Sequence, residues 1–227
     1  MSKSISIRDV FKEIEKSDQS VYHRGKSWEH CYTFFRKYKT LRNDKLLVDY
    51  AALHLGFFLA SWGMLRGSSF LLQKDYKFYI PIVCVLIKPK YDRLWNLNFL
   101  EDGKIEENLD CLFGLKEDLK NEITKNNLDN KIPTDLLITK IIMVTTGCAP
   151  AYDRYFKIGL NKKFNSKSKR GFGSFNNKSF KKLLDFVGKD EELKKIYSET
   201  HFIKETKIKY PPMKLLDLYF WLLGSQE

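Results

Sequence analysis

Residues 139–156, TKIIMVTTGCAPAYDRYF, place a lysine and an aspartate on either side of a tight turn. An apolar run carrying Lys140 leads to Gly147 and Pro150, and the chain then presents Asp153 ahead of another helical segment. A carboxylate at a helix start feels the positive end of the helix dipole and stays ionised. It could then stabilise positive charge developing on a substrate, or orient a water. The plainer reading is that Asp153 is an N-cap, which stabilises a helix by about 1 kcal/mol. Lys140 sits on an apolar helix, where desolvation lowers an amine's pKa and makes it a candidate nucleophile. Its plainer reading is a lysine that snorkels to solvent.

Those two residues need a frame. Periodicity predicts a helix over residues 109–126, a polar turn, a second helix over 134–147, a loop, and a third helix from Asp153 to about residue 160. This order resembles the helix-hairpin-helix DNA glycosylase superfamily, and Pro150-Ala151-Tyr152-Asp153-Arg154 looks like its aspartate segment. Lys140 stands where some distant relatives carry lysine. The resemblance covers mainly residues 109–160. It departs at the hairpin, where LDNKIP replaces the usual glycine-rich turn whose amides grip a phosphate.

The resemblance implies an all-α, two-lobed helical bundle without cofactor, acting on double-stranded DNA. A base would be rotated into a pocket and its N-glycosidic bond hydrolysed, with Asp153 opposite the oxocarbenium-like sugar. Attack by Lys140 instead would give a Schiff base and strand cleavage. Hydrolysis alone is the default expectation. Damaged bases in repair and modified bases in invading phage DNA are both open as targets, and the departures from housekeeping motifs lean to defence. Two further classes stay open: a non-catalytic nucleic-acid-binding module, and a helical ribonuclease or toxin using Arg66 and His30.

Three other constellations could complete such a site. Residues 61–72, SWGMLRGSSFLL, combine Trp62 and Arg66 with a Gly67-Ser68-Ser69 turn whose amides and hydroxyls suit a phosphate or a base edge. A simple helix corner is the alternative. Residues 23–35, HRGKSWEHCYTFF, offer Trp28, Glu29 and His30. Trp28, Tyr32 and Phe35 recur at helical spacing and read as core, while Glu29 and His30 point about a hundred degrees apart on a helix. With Tyr152, these residues form the expected base pocket.

Residues 161–182, NKKFNSKSKRGFGSFNNKSFKK, contain no acid. Lys162, Lys163, Lys167, Lys169, Arg170 and Lys178 alternate there with Phe164, Phe172, Phe175 and Phe180. Interleaved cations and aromatics suit a nucleic-acid backbone with an exposed base. With Arg154, these cations are the expected DNA contacts, on a basic loop over residues 161–178; a solvated loop is the alternative.

Composition is consistent with this reading. The chain has 227 residues, 43% apolar and 15% aromatic, enough for one compact all-α domain, divisible into lobes at 1–108 and 109–227. The net charge of +12 attracts polyanions, although lysine-rich composition alone can produce it. Cys31, Cys84, Cys111 and Cys148 form no C-x-x-C pair and lie in apolar contexts, so buried free thiols are expected rather than zinc or disulfides. Residues 1–16 are polar and unlike a secretory signal, and no apolar run reaches the roughly 20 residues of a spanning helix. A bacterial cytoplasmic protein, on the nucleoid when DNA-bound, is the expectation.

Elsewhere the pattern predicts helices over residues 6–17, 27–41 and 45–64, the last apolar on nearly all sides and therefore central. Residues 78–89, FYIPIVCVLIKP, read as strand or helix, with Pro81 favouring helix. Residues 101–108 read as a charged loop, and residues 178–223 as two or three helices, the last beginning at Pro212.

Overall fold

The computed structural model describes residues 5–37, 42, 44–127, 131–164 and 172–226. Among these the protein is all-helical, with ten α-helices: α1 (Ile7–Asp18), α2 (Gly25–Lys37), α3 (Lys45–Ser61), α4 (Ile80–Leu86), α5 (Ile105–Lys125), α6 (Asp135–Thr145), α7 (Arg154–Lys163), α8 (Asn177–Val187), α9 (Glu191–Ser198) and α10 (Pro212–Ser225). Short 3-10 turns lie between α3 and α4 and between α4 and α5. Among the described residues, extended pairing is limited to one isolated bridge, Phe202 to Lys209. No helix of the described residues is long and apolar enough to cross a membrane.

Side chains written into the sequence start many of these helices. Asp44, Thr134, Asp153, Asn176 and Asp190 each accept a hydrogen bond from an amide in the first turn that follows. The ambiguous run at 78–89 is helical, with Pro81 in the first turn of α4, where its missing N–H costs nothing. α5 begins four positions before the expected start, through residues expected to be a charged loop, because Glu106 and Glu107 suit the positive end of a helix. A lobe boundary between 108 and 109 would therefore cut a helix. Instead, one continuous apolar core joins the early and late segments, with α1 packed on α10 and α6 packed on α2 and α3.

The most deeply buried helix is α6, in which every residue from Leu137 to Thr145 is buried. The sequence pattern assigned the central place to α3. That helix instead leaves Leu46, Tyr50, Leu53 and Phe57 exposed on one face, at 41–67%. Apolar composition all round cannot say which face a neighbour covers. The thiols also differ from expectation: Cys31 and Cys148 are buried, but Cys84 is exposed and Cys111 half-buried.

α7 and α10 cross backbone to backbone. A Cβ built on Gly159 would come within 1.9 Å of the Phe220 carbonyl oxygen, and one on Gly224 within 1.9 Å of the Tyr155 oxygen. Main-chain atoms cannot step aside as a side chain can. Gly159→Ala or Gly224→Ala is therefore expected to force the helices apart and cost about 2 kcal/mol or more, read from the midpoint of chemical unfolding. The double substitution should cost less than the sum of the singles, since the first opens the gap the second needs.

Candidate active site

Lys140 and Asp153 line the same cavity, a space of about 100 Å3 bounded by α3, α6, α10, the segment before α2 and Glu13 of α1. Lys140 comes from the buried face of α6 and is only 7% exposed. α6 ends at Thr145, and Gly147 turns the chain with φ +72°. A side chain at Gly147 would also strike the ring of Pro211, 2.7 Å away. Glycine thus meets both a backbone and a space requirement there.

The loop that follows is buried, so its amides need internal partners. The Ala151 N–H donates to Asp217 Oδ1 at 3.0 Å, and the Tyr152 N–H to Thr139 Oγ1 at 3.0 Å. Asp153 then accepts the Phe156 N–H through Oδ1 at 2.8 Å. The aspartate is therefore a helix cap and a pocket carboxylate at once; the two readings of its sequence position do not compete.

α10 contributes two charged groups that sequence reasoning did not single out. Lys214 and Asp217 are 5% and 6% exposed and form an ion pair, Nζ to Oδ2, at 2.9 Å. Both line the cavity. The available signal was plain: in PMKLLDLYFWLLGS they are the only charged residues, spaced to share the helix's buried face.

Trp62 closes the cavity on the α3 side. Its carbonyl accepts a hydrogen bond from Lys140 Nζ at 2.8 Å, and its indole N–H donates to Ser27 Oγ at 3.1 Å. Three cations approach its ring: Arg24 at 4.8 Å, Lys214 at 5.6 Å and Lys140 at 5.9 Å from the centroid. The ring's negative face offsets part of the cost of holding the two ammonium groups away from water.

Burial lowers the pKa of Lys140, with Lys214 and Arg66 adding to the effect while Asp153 and Asp217 oppose it. Asp153 moves upward, first through burial and then through the nearby Asp217 charge; the Phe156 amide, Lys140 and Lys214 pull the other way. An amine pushed toward its neutral form thus lies beside a carboxylate whose ionisation is made harder.

The remaining expected pocket residues are spread out. Arg66 is exposed, with its guanidinium against Gly63, near enough to Lys140 to bear on its charge. Ser68 is exposed, and Ser69 caps a 3-10 turn through the Leu71 N–H, 3.3 Å away; neither lines the cavity. Trp28 is stacked between Tyr32 and Tyr210, at ring separations of 4.9 and 5.2 Å, so its faces are occupied. Glu29 pairs with Lys26 and accepts the Tyr210 hydroxyl at 2.5 Å. His30 faces a separate depression beside residues 203–206, whose described lining does not include Arg66. Tyr152 is buried against Phe156 and Phe175. Only its backbone belongs to the site.

The basic segment also divides. Phe172, Phe175 and Phe180 are core residues, which removes them as base-stacking groups. Lys162 donates to the Leu223 and Gln226 carbonyls at the end of α10, and Lys163 pairs with Asp190 and Glu192. Arg154 and Lys178 are exposed. Lys167, Lys169 and Arg170 lie outside the described residues, as do residues 128–130 of the hairpin turn. At the start of α6, Thr134 Oγ1 accepts the Leu137 N–H, and Asp135 pairs with Lys116. That amide end already has protein partners, and its nearby carboxylate disfavours a phosphate. Among the described residues no group of three or more His, Cys, Asp or Glu side chains could hold a metal ion.

Removing one member of a buried ion pair strands the other charge. Asp217→Ala also frees the Ala151 amide, so it is expected to cost about 3–5 kcal/mol. Pairing Lys214→Met with Asp217→Leu should cost less than Asp217→Ala alone. Equilibrium unfolding of the three proteins checks this; equal costs would mean that the pair is not coupled.

Comparison of the chain with protein-family models, curated proteins and solved structures returns no match.

Proposed function

We propose that the protein is a DNA glycosylase that takes a damaged or modified base into the Lys140–Asp153 cavity and hydrolyses its N-glycosidic bond. The observation that carries this reading is the convergence of Lys140 and Asp153 in one aromatic-walled cavity. The cavity, about 100 Å3, is smaller than the about 150 Å3 that holds a benzene ring, so a base enters it fully only if lining side chains shift. The net charge of +12 favours a polyanion as the larger substrate.

As the bond to the base breaks, positive charge builds on the sugar. Ionised Asp153 stabilises it across a low-dielectric space or holds the water that attacks. Lys140, whose pKa burial lowers, is the group that could take the water's place and form an imine. The water route is the default.

The test is base release from duplexes carrying deaminated, alkylated, oxidised or glucosylated hydroxymethylated bases, detected by mass spectrometry. Asp153→Asn keeps an oxygen for the α7 cap, so the fold should survive while release falls about a hundredfold or more. Borohydride added during turnover should trap no adduct; a trapped adduct lost in Lys140→Gln would assign the imine route instead. Wild-type protein that binds DNA in a salt-sensitive way but releases no base would point to a binding module.

The pH profile gives an independent check. Activity should rise with pH as Asp153 ionises, along a limb lying above the ordinary carboxylate range. Asp217→Asn removes a charge that raises the Asp153 pKa, so the limb should move to lower pH. Lys140→Gln removes a charge that lowers it, so in any residual activity the limb should move to higher pH. Shifts in the same direction would rule out Asp153 as the titrating group.

A further inference from the structure

Exposed large apolar side chains are not spread evenly over the described residues. Four of the ten, Leu46, Tyr50, Leu53 and Phe57, stand on α3, exposed by 59%, 46%, 41% and 67%. They follow one another at steps of four, three and four positions, the a/d repeat of a seam between two helices. Ala60, three positions further on, continues the stripe and is also exposed. The inward face of the same helix carries Ala51, Ala52, Leu55, Phe58 and Leu59 into the core.

The borders of the stripe are held within the chain. Asp49 accepts the Tyr76 hydroxyl at 3.2 Å on one side, and His54 stacks on Phe34 at 4.4 Å on the other. No charged residue interrupts the stripe itself. It therefore offers a polyanion nothing, although the chain as a whole carries a net charge of +12.

We infer that this stripe is the contact between two copies of the chain, with the two α3 helices antiparallel across a two-fold axis. The order of the residues fits a second copy. With the axis between Ala51 and Ala52, Leu46 meets the partner's Phe57 and Tyr50 meets the partner's Leu53, so every layer sets one ring against one leucine. A parallel pair would set ring on ring and leucine on leucine, in layers of unequal width. Charge fits as well. α3 has no basic residue in its last turn, and the antiparallel pair brings the partner's Lys45 to that end, where the helix dipole is negative. Four side chains at about half exposure supply roughly 400 Å2, against the roughly 800 Å2 per partner of a standard stable interface, so dissociation in the micromolar range is expected. The pairing is independent of the chemistry proposed for the cavity.

Sedimentation velocity of the full chain at rising concentration, in low and in high salt, tests it. Wild type should pass from monomer to dimer across the micromolar range. High salt should favour the dimer by screening the repulsion between two chains of charge +12, whereas it weakens binding to DNA. Phe57→Glu alters an exposed position outside the core and should weaken the dimer about a hundredfold. Adding Leu46→Lys to that variant places opposite charges in each end layer of the antiparallel pair and should recover most of the loss; in a parallel pair the same double variant would bring like charges together. A wild type that stays monomeric throughout, a Phe57→Glu protein that dimerises as wild type does, or a double variant that remains monomeric overturns the proposal.

Discussion

The arrangement depends on one interaction: the buried carboxylate of Asp217, which accepts the Ala151 amide through one oxygen and holds the Lys214 ammonium with the other. A loop that runs through the interior must satisfy its amides there, and a carboxylate buried to do so needs a counter-charge. Lys214 supplies it. The pair lies on the helix that α7 touches backbone to backbone, so the loop, the start of α7 and α10 behave as one block. Asp153 inherits its place from that block, and its raised pKa is partly the electrostatic result of having Asp217 nearby.

What the sequence conveyed, and what it did not, follows from which residues act locally. Caps and turn residues act within a few positions of themselves. Accordingly, the helix from Pro212, the start after Thr134, the turn at Gly147 and the cap at Asp153 were readable from residue type and order. Which face of an apolar helix meets a neighbour depends on segments far along the chain. For this reason α3 was read as central although one face is bare, and α6, with a similar composition, occupies the interior.

The site shows the same division. Lys140 and Asp153 could be nominated because they flank one turn. Their partners on α10 arrive from the far end of the chain, and only the oddity of two charges in an apolar helix pointed to them. The segment at 161–182 erred in the opposite direction. Alternating lysine and phenylalanine looked like a stacking platform, yet the alternation sorts three of the phenylalanines inward and leaves lysines such as Lys178 outward. Amphipathic packing and base stacking call for the same two residue types, and only the location of the core distinguishes them.

The glycine contact between α7 and α10 also has a bearing on how the pocket could change over evolutionary time. On that side, the position of α10 is set by main-chain atoms already at closest approach, so an exchange that moves it, such as alanine for Gly159 or Gly224, costs stability. The opposite wall is formed by Trp62, held by stacking with Arg24 and by a hydrogen bond to Ser27. Those are side-chain contacts, replaceable one substitution at a time. A lineage in need of a differently shaped pocket can change the side chains that line it, Trp62 among them, while the helix crossing stays constant.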